Sequence, residues 1–224
     1  MNEGAPENAV WMRAIHAHDP YENFPVERYK LDLQGWGSHS PIFEAIISQL
    51  RPRHLVEVGS WKGASAIHMA DVMRKLNCLG EIVCVDTWLG GPELWLKGDD
   101  PGLAMPRQFG RPMIFDQFLA NVIYSKHTKT IIPFPADSIT GAKVLLAKDM
   151  LADAIYIDAG HEYEHVKADL QAWWGVLRPG GVLFGDDYHL LWIGVVRAVH
   201  DFAEAMRLSV NASFQNKWLI QKPH

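Results

Sequence analysis

The stretch from Leu55 to Ser65, LVEVGSWKGAS, limits the fold more than any other part of the chain. Leu55, Val56 and Val58 supply the short apolar run of a buried strand. Gly59 and Gly63 bracket a tight turn, and Ala64 to Leu76 carries helical spacing. A strand that feeds a helix through a glycine turn opens a doubly wound α/β domain that binds a nucleotide at that turn. The turn departs from the dinucleotide pattern G-x-G-x-x-G. Glu57 stands at its first glycine position, and the step from Gly59 to Gly63 is one residue too long. A helix N-terminus attracts anions, and a carboxylate beside it disfavours a pyrophosphate. An E-x-G-x-x-x-G turn suits a nucleoside with a cationic tail and no phosphate.

The other elements fall into place around this unit. Residues 1–50 read as an N-terminal arm and a leader helix. The arm has a short helix near residues 9–16 and an irregular run through HAHDPYENFPVERYK. Ser40 and Pro41 look like an N-cap and first helical residue, with Ile42, Phe43, Ile46, Ile47 and Leu50 inward. The arm could cover the active site or dock a second copy of the chain. Further strands are expected at 81–86, 130–138, 154–158, 182–184, 208–212 and 218–221, which makes a mostly parallel seven-stranded sheet in one domain spanning 1–224. Pro133 and Pro135 forbid a central ladder position, so the third strand is expected at an edge or leaves the sheet early. Residues 90–111 hold five glycines and three prolines and read as a substrate lid. Helices are expected over 113–125, 141–148, 162–177 and 193–206. Pro179-Gly180-Gly181 reads as a turn.

Ligands of open α/β sheets bind beyond the carboxyl ends of the strands. Those ends carry Glu57, Asp86, Asp158 and the pair Asp186-Asp187. An acid at the end of the second strand can accept from both ribose hydroxyls, which gives Asp86 that role, with Thr87 and Trp88 beside it near the adenosine. Asp137 and Ser138 end the third strand, where the base would lie. Asp158, Asp186 and Asp187 converge if their strands are neighbours. Three crowded carboxylates repel one another unless a cation neutralises them, and an all-oxygen set points to a hard ion, Mg²⁺ first, with Mn²⁺ or Ca²⁺ as alternatives. His161 lies three residues past Asp158, within reach of a group held there.

On VEVGSWKG the chain resembles the class I S-adenosylmethionine-dependent methyltransferases. On IDAGHEYEHVKADLQAWWGVLRPGGVLFGDDY it resembles the Mg²⁺-dependent O-methyltransferases related to the macrocin and mycinamicin sugar enzymes. The resemblance covers about residues 50–190. It implies a cofactor site at Glu57, Gly59, Ser60, Gly63, Ser65, Asp86, Thr87, Trp88, Asp137, Ser138 and Asp158. It also implies a metal at Asp158, Asp186 and Asp187, with His161 as general base. The implied substrate is a small hydroxylated acceptor such as a sugar, glycoside or catechol, of the kind met in natural-product biosynthesis.

Two motifs leave other readings open. His161-Glu162-Tyr163-Glu164-His165 matches H-E-x-x-H, the helical zinc site of metallopeptidases, although it sits at a strand-to-helix junction with no clear third ligand. A methyltransferase that uses His161 without metal is a further alternative, and so is a binding domain that has lost catalysis. The net charge of −5 and the lack of long basic runs argue against nucleic acid as a partner. No apolar stretch reaches a membrane span. The first residues lack the pattern of a signal peptide, and Cys78 and Cys84, the two cysteines, read as packed thiols. A cytosolic enzyme is the expectation.

Overall fold

The computed structural model of the chain describes residues 10–96 and 105–224. Its elements in chain order are α1 (Val10–Ile15), α2 (Pro41–Leu50), β1 (His54–Val58), α3 (Ala64–Lys75), β2 (Glu81–Asp86) and α4 (Pro92–Leu96). Then follow β3 (Arg107–Gln108), β4 (Arg111–Pro112), α5 (Ile114–Tyr124), β5 (Ile131–Pro135), α6 (Ser138–Ala147) and β6 (Ala152–Ile157). The chain closes with α7 (Tyr163–Val176), β7 (Leu177–Gly185), α8 (Ile193–Met206) and β8 (Trp218–Gln221).

The main sheet has six strands in the order β5-β2-β1-β6-β7-β8. All neighbours are parallel except β7 and β8. Side chains alternate between the two faces of a strand, and here both faces are buried. Leu55, Ile82, Cys84, Ile131, Tyr156 and Phe184 pack beneath α2, α3 and α5. Val56, Val58, Val83, Val85, Ile155 and Leu183 pack beneath α6, α7 and α8. Continuous apolar strands covered on both sides are what a parallel sheet requires.

The expected seventh strand is reduced to one bridge. Asn211 and Leu219 exchange two backbone bonds of 2.9 Å. The Asn211 side chain then accepts from the Ser213 amide at 2.9 Å and the Ser213 hydroxyl at 2.7 Å. Such a side-chain turn diverts the chain before a ladder can extend. The Pro179-Gly180-Gly181 turn is accommodated within β7: pairing with β6 jumps from Ala152↔Leu177 to Ala154↔Val182. On α8 the inward positions are Val195, Ala198, Val199 and Ala203, whereas spacing alone selects Val196, Phe202 and Met206 beside Val199 and Ala203. The shift arises because α8 packs on α7 as well as on the sheet.

Strand β5 lies at the edge, as its prolines require. Ile82 N donates to Thr130 O and Ala136 N donates to Asp86 O, so the even positions of β5 face β2 and Pro133 and Pro135 face outward. The arm covers that outward side. Tyr21 donates its hydroxyl to Ile131 O at 2.8 Å, and His16 donates to Pro133 O at 2.6 Å. Below the sheet, α1 is held by the Glu81 carboxylate, which accepts from the Trp11 and Met12 amides. Above it, the Asp32 carboxylate pairs with Lys62 at 2.7 Å. Asn121 ties down the backbone of Asp32 on both its N–H and C=O. The arm therefore runs from one end of the strands to the other along the edge of its own sheet.

Within the expected lid, α4 and the β3–β4 hairpin are formed, while residues 97–104 lie outside the described residues. Among the described residues no helix is long and apolar enough to cross a membrane. Cys78 and Cys84 are free and buried.

Candidate active site

The glycine turn closes over the end of β1. Gly59 has φ +85, and a Cβ there would lie 1.9 Å from the Asp158 carbonyl oxygen. Only glycine permits that approach. The amides of the turn are already engaged: Gly59 N donates to Val85 O and Gly63 N to Ser60 O. Ser60 N and Trp61 N both donate to Asp86 Oδ2 at 2.9 Å. A pyrophosphate would find no nest of free N–H groups in these four positions. The second oxygen of Asp86 accepts from Trp88 N at 2.7 Å. Burial raises the Asp86 carboxyl above its usual range against these amide donors. Each carboxylate oxygen has more than one lone pair, so Asp86 retains capacity for ribose hydroxyls.

Other expected cofactor residues turn out to be committed within the protein. Glu57 is fully buried. Strand alternation points it into the α3 layer, where it accepts from Ser65 Oγ at 2.5 Å and Cys84 Sγ at 3.6 Å. Burial pushes its carboxyl up to about 7. Trp88 is a core residue packed on Phe115 and Phe118, and its ring N–H donates to Trp61 O; it does not lie open for an adenine. Thr87 Oγ1 accepts from Leu89 N. Asp137 caps α6 through Thr140 N at 3.0 Å, and that hydrogen bonding lowers its pKa. Ser138 donates to Asp169 and accepts from the Trp173 ring N–H. Gly63 begins α3 as its N-cap. Ser60 is buried beside Glu57 and Cys84, and its hydroxyl acts to lower the pKa of both.

The second cluster lies at the ends of β6 and β7. His161 Nε2 is 2.9 Å from Asp187 Oδ2, and its ring stacks on Trp192 with centroids 4.0 Å apart. The hydrogen bond to Asp187 raises the His161 pKa, against the opposing effect of burial. Asp187 has φ +60, a conformation rare outside glycine, asparagine and aspartate, and His189 Nε2 lies 3.8 Å from its other oxygen. Asp158 and Asp186 share the Tyr156 hydroxyl, at 3.1 Å and 3.3 Å. Burial, with Asp186 adding to it, drives the Asp158 carboxyl well above the usual range. Lys217 donates to the Tyr156 oxygen at 2.9 Å and forms an ion pair with Asp186. A small, partly open space of about 10 Å³ lies among Asp158, His161, Asp186 and Asp187, room for about one water.

These residues do not fit the expected Mg²⁺ site in the arrangement they hold. Asp186 already carries the Lys217 ammonium, and Asp187 carries the His161 ring. Among the described residues no group of three His, Cys, Asp or Glu side chains is arranged to hold a metal ion. The zinc reading also loses its geometry. His161 precedes α7, whose N-cap is Glu162 in extended conformation. His165 turns outward to Glu162 Oε2 at 3.2 Å.

A cleft of about 970 Å³ opens beside this cluster. It is lined by Trp36, Gly37, Ser38 and His39 of the arm, by Asp186 and Asp187, and by Phe214 to Lys217. Trp61 joins arm and glycine turn: its ring N–H donates to Gln34 Oε1 at 3.1 Å, and it packs against Trp36. Tyr156, Lys217, Trp61 and Trp192 were not foreseen. Tyr156 alone left a signal, being two residues from Asp158 and hence on the same face of a strand.

A family model described as "Methyltransferase domain" matches residues 56–188, more than half of the chain. The chain is 26% identical over 183 residues to the uncharacterized protein y4gI of Sinorhizobium fredii, which covers 81% of this chain and 18% of that protein. It thus spans less than a fifth of that curated relative. Among solved structures, the calicheamicin methyltransferase CalS11 has a TM-score of 0.59 at 18% identity, over 94% of this chain and 96% of that one. An O-methyltransferase from Bacillus cereus, in complex with S-adenosylhomocysteine, gives 0.55 at 14% identity over 84% of each chain. The O-methyltransferase TomG from Streptomyces achromogenes, involved in tomaymycin synthesis and bound to S-adenosylmethionine, gives 0.53 at 13% identity, over 82% of this chain and 78% of that one. At these identities the structural likeness is one of fold. Together with the family match over β1 to the end of β7, it shows that the chain belongs to the methyltransferase-domain family and has the class I fold of S-adenosylmethionine-dependent methyltransferases.

Proposed function

We propose that the protein transfers a methyl group from S-adenosylmethionine to a hydroxyl of a small polyhydroxylated molecule, with His161 as general base. The observation that carries this reading is the placement of His161. Its ring is fixed by Asp187 on one side and Trp192 on the other, while Asp187 also lines the cleft formed by the arm. When bound, S-adenosylmethionine would supply an electrophilic methyl group on a sulfonium, with the neutral thioether S-adenosylhomocysteine as its leaving group. Gly59, Ser60 and Asp86 would hold its nucleoside. With Nε2 held by Asp187, Nδ1 is the nitrogen left to take the acceptor proton. His161 would take the proton of the attacking hydroxyl.

The cleft suits a polyol. Ser38, His39, Gln215 and Asn216 offer hydrogen bonds, while Trp36 and Phe214 offer apolar faces. Two proteins of similar fold are named for calicheamicin methylation and for tomaymycin synthesis, and sugars, glycosides or catechols are the acceptors put forward here.

The test is methyl transfer from radiolabelled S-adenosylmethionine to a panel of sugars, vicinal diols and catechols. His161→Gln should lose about 10²- to 10⁴-fold in kcat and keep its affinity for S-adenosylhomocysteine. A His161→Gln variant as fast as the parent would remove the histidine from the chemistry.

A further inference from the structure

Asp158 and Asp186 stand so close that one hydroxyl, that of Tyr156, serves both. Two carboxylates this close repel each other, and a cation beside them relieves the repulsion. The chain carries one. The Lys217 ammonium donates to the Tyr156 oxygen and pairs directly with Asp186, and the residue is 2% exposed. It also lies 5.2 Å from the centre of the Tyr156 ring and 5.6 Å from that of Phe43.

The arm is shaped around this pair. At Gly37, with φ +58, a Cβ would come within 2.6 Å of Asp186 Oδ2 and 2.9 Å of Lys217 Nζ. Any side chain there would press on the ion pair. A lysine buried to this degree is rare unless paired, and breaking a buried pair by removing one partner leaves an uncompensated charge.

From this geometry we propose that Lys217 is a built-in counter-ion that takes the place of a divalent cation in the carboxylate cluster. It positions Asp158 and Asp186, so that the site works without metal. The inference rests on the methyltransferase reading for its consequence in turnover. Its structural part, which cation neutralises the carboxylates, stands independently. Lys217 acts here as a positioning residue through Tyr156 and Asp186.

The experiment is a Mn²⁺ titration followed by electron paramagnetic resonance, on the full chain saturated with S-adenosylhomocysteine, with methyl transfer measured in parallel in EDTA and in Mg²⁺. The parent protein should leave the free-ion signal undiminished and turn over equally in both conditions. Lys217→Ala keeps the three carboxylates and loses their cation. It should take up about one equivalent of Mn²⁺, displaced by Mg²⁺, and become stimulated by Mg²⁺. Lys217→Arg should behave as the parent does.

Stoichiometric Mn²⁺ uptake by the parent, abolished in Asp186→Asn, would overturn the proposal. So would a folded Lys217→Ala that binds no ion. If Lys217→Ala does not fold, the parent and Lys217→Arg titrations still decide. Failure to bind S-adenosylhomocysteine would count against the methyltransferase reading alone, because ion uptake by the parent and by Lys217→Ala can be compared without it.

Discussion

Asp187 Oδ2 lies 2.9 Å from His161 Nε2, so the carboxylate selects which ring nitrogen can act as a base. It also raises the histidine pKa. Below that pKa the ring is protonated and cannot accept a proton, so methyl transfer should fall on the acid side through a pH somewhat above the ordinary histidine value. Asp187→Asn removes the negative charge and should move this acid limb to lower pH while lowering kcat by about tenfold or more. Rates of kcat against pH for the two proteins check this. An unmoved acid limb would detach His161 from the proton transfer.

Asp86 gathers Ser60 N, Trp61 N and Trp88 N. Asp86→Ala would leave three amides without that acceptor, each worth about 1–3 kcal/mol if buried and unmet. S-adenosylhomocysteine should bind at least about tenfold more weakly, because the turn that holds its nucleoside is released. Asp86→Asn keeps one acceptor oxygen and should fall between. Calorimetry of both variants gives the order, and equal binding by Asp86→Ala and the parent would refute the role.

Glu57 makes stability depend on pH in a direction unusual for a carboxylate. Its pKa rises from 4.5 to about 7 on folding, so between those values the folded state holds a proton that the unfolded state has released. The contribution is fully present below 4.5 and is lost as pH rises through about 7, to a total on the order of 3 kcal/mol. Glu57→Gln cannot ionise and can still accept from Ser65. Its stability relative to the parent should therefore grow between about pH 5 and pH 8. Urea midpoints across that range measure it; a constant difference would mean that Glu57 is not titrating in the core.

His165 is turned to solvent beside Glu162, with a side chain 73% exposed. His165→Ala should leave methyl transfer, S-adenosylhomocysteine affinity and stability unchanged within about 0.5 kcal/mol. Zinc bound in stoichiometric amount and lost in this variant would restore the metallopeptidase reading.

Much of the fold was legible because it is written in short-range pattern. The apolar runs of β1, β2 and β6, the turn at Gly59 and the prolines of β5 each answer to a local rule. The site was legible only as far as strand ends are. Asp158, Asp186, Asp187 and His161 were placed together because topology alone brings them there. What neutralises them was not, since Lys217 reaches them from a segment whose sequence, QNKW, carries no periodic signal. Glu57 and Trp88 show the converse. Their positions in the chain suggested the cofactor, but strand alternation and the packing of Phe115 and Phe118 turn both side chains into the core. The lost strand at 208–212 depended on one side chain, Asn211, taking hydrogen bonds that a ladder would have needed elsewhere.

The path of the arm has a consequence for the order in which the molecule can be completed. Residues 10–40 come before their partners in the sequence: Glu81, Ile131 and Pro133, and then Asp186 and Lys217. The arm can seat along β5 once residue 133 is in place, but its turn at Gly37 has all its neighbours only when residue 217 has been made. Contacts so distant in sequence form slowly, so the approach of Gly37 to Asp186 and Lys217 should be among the last to form.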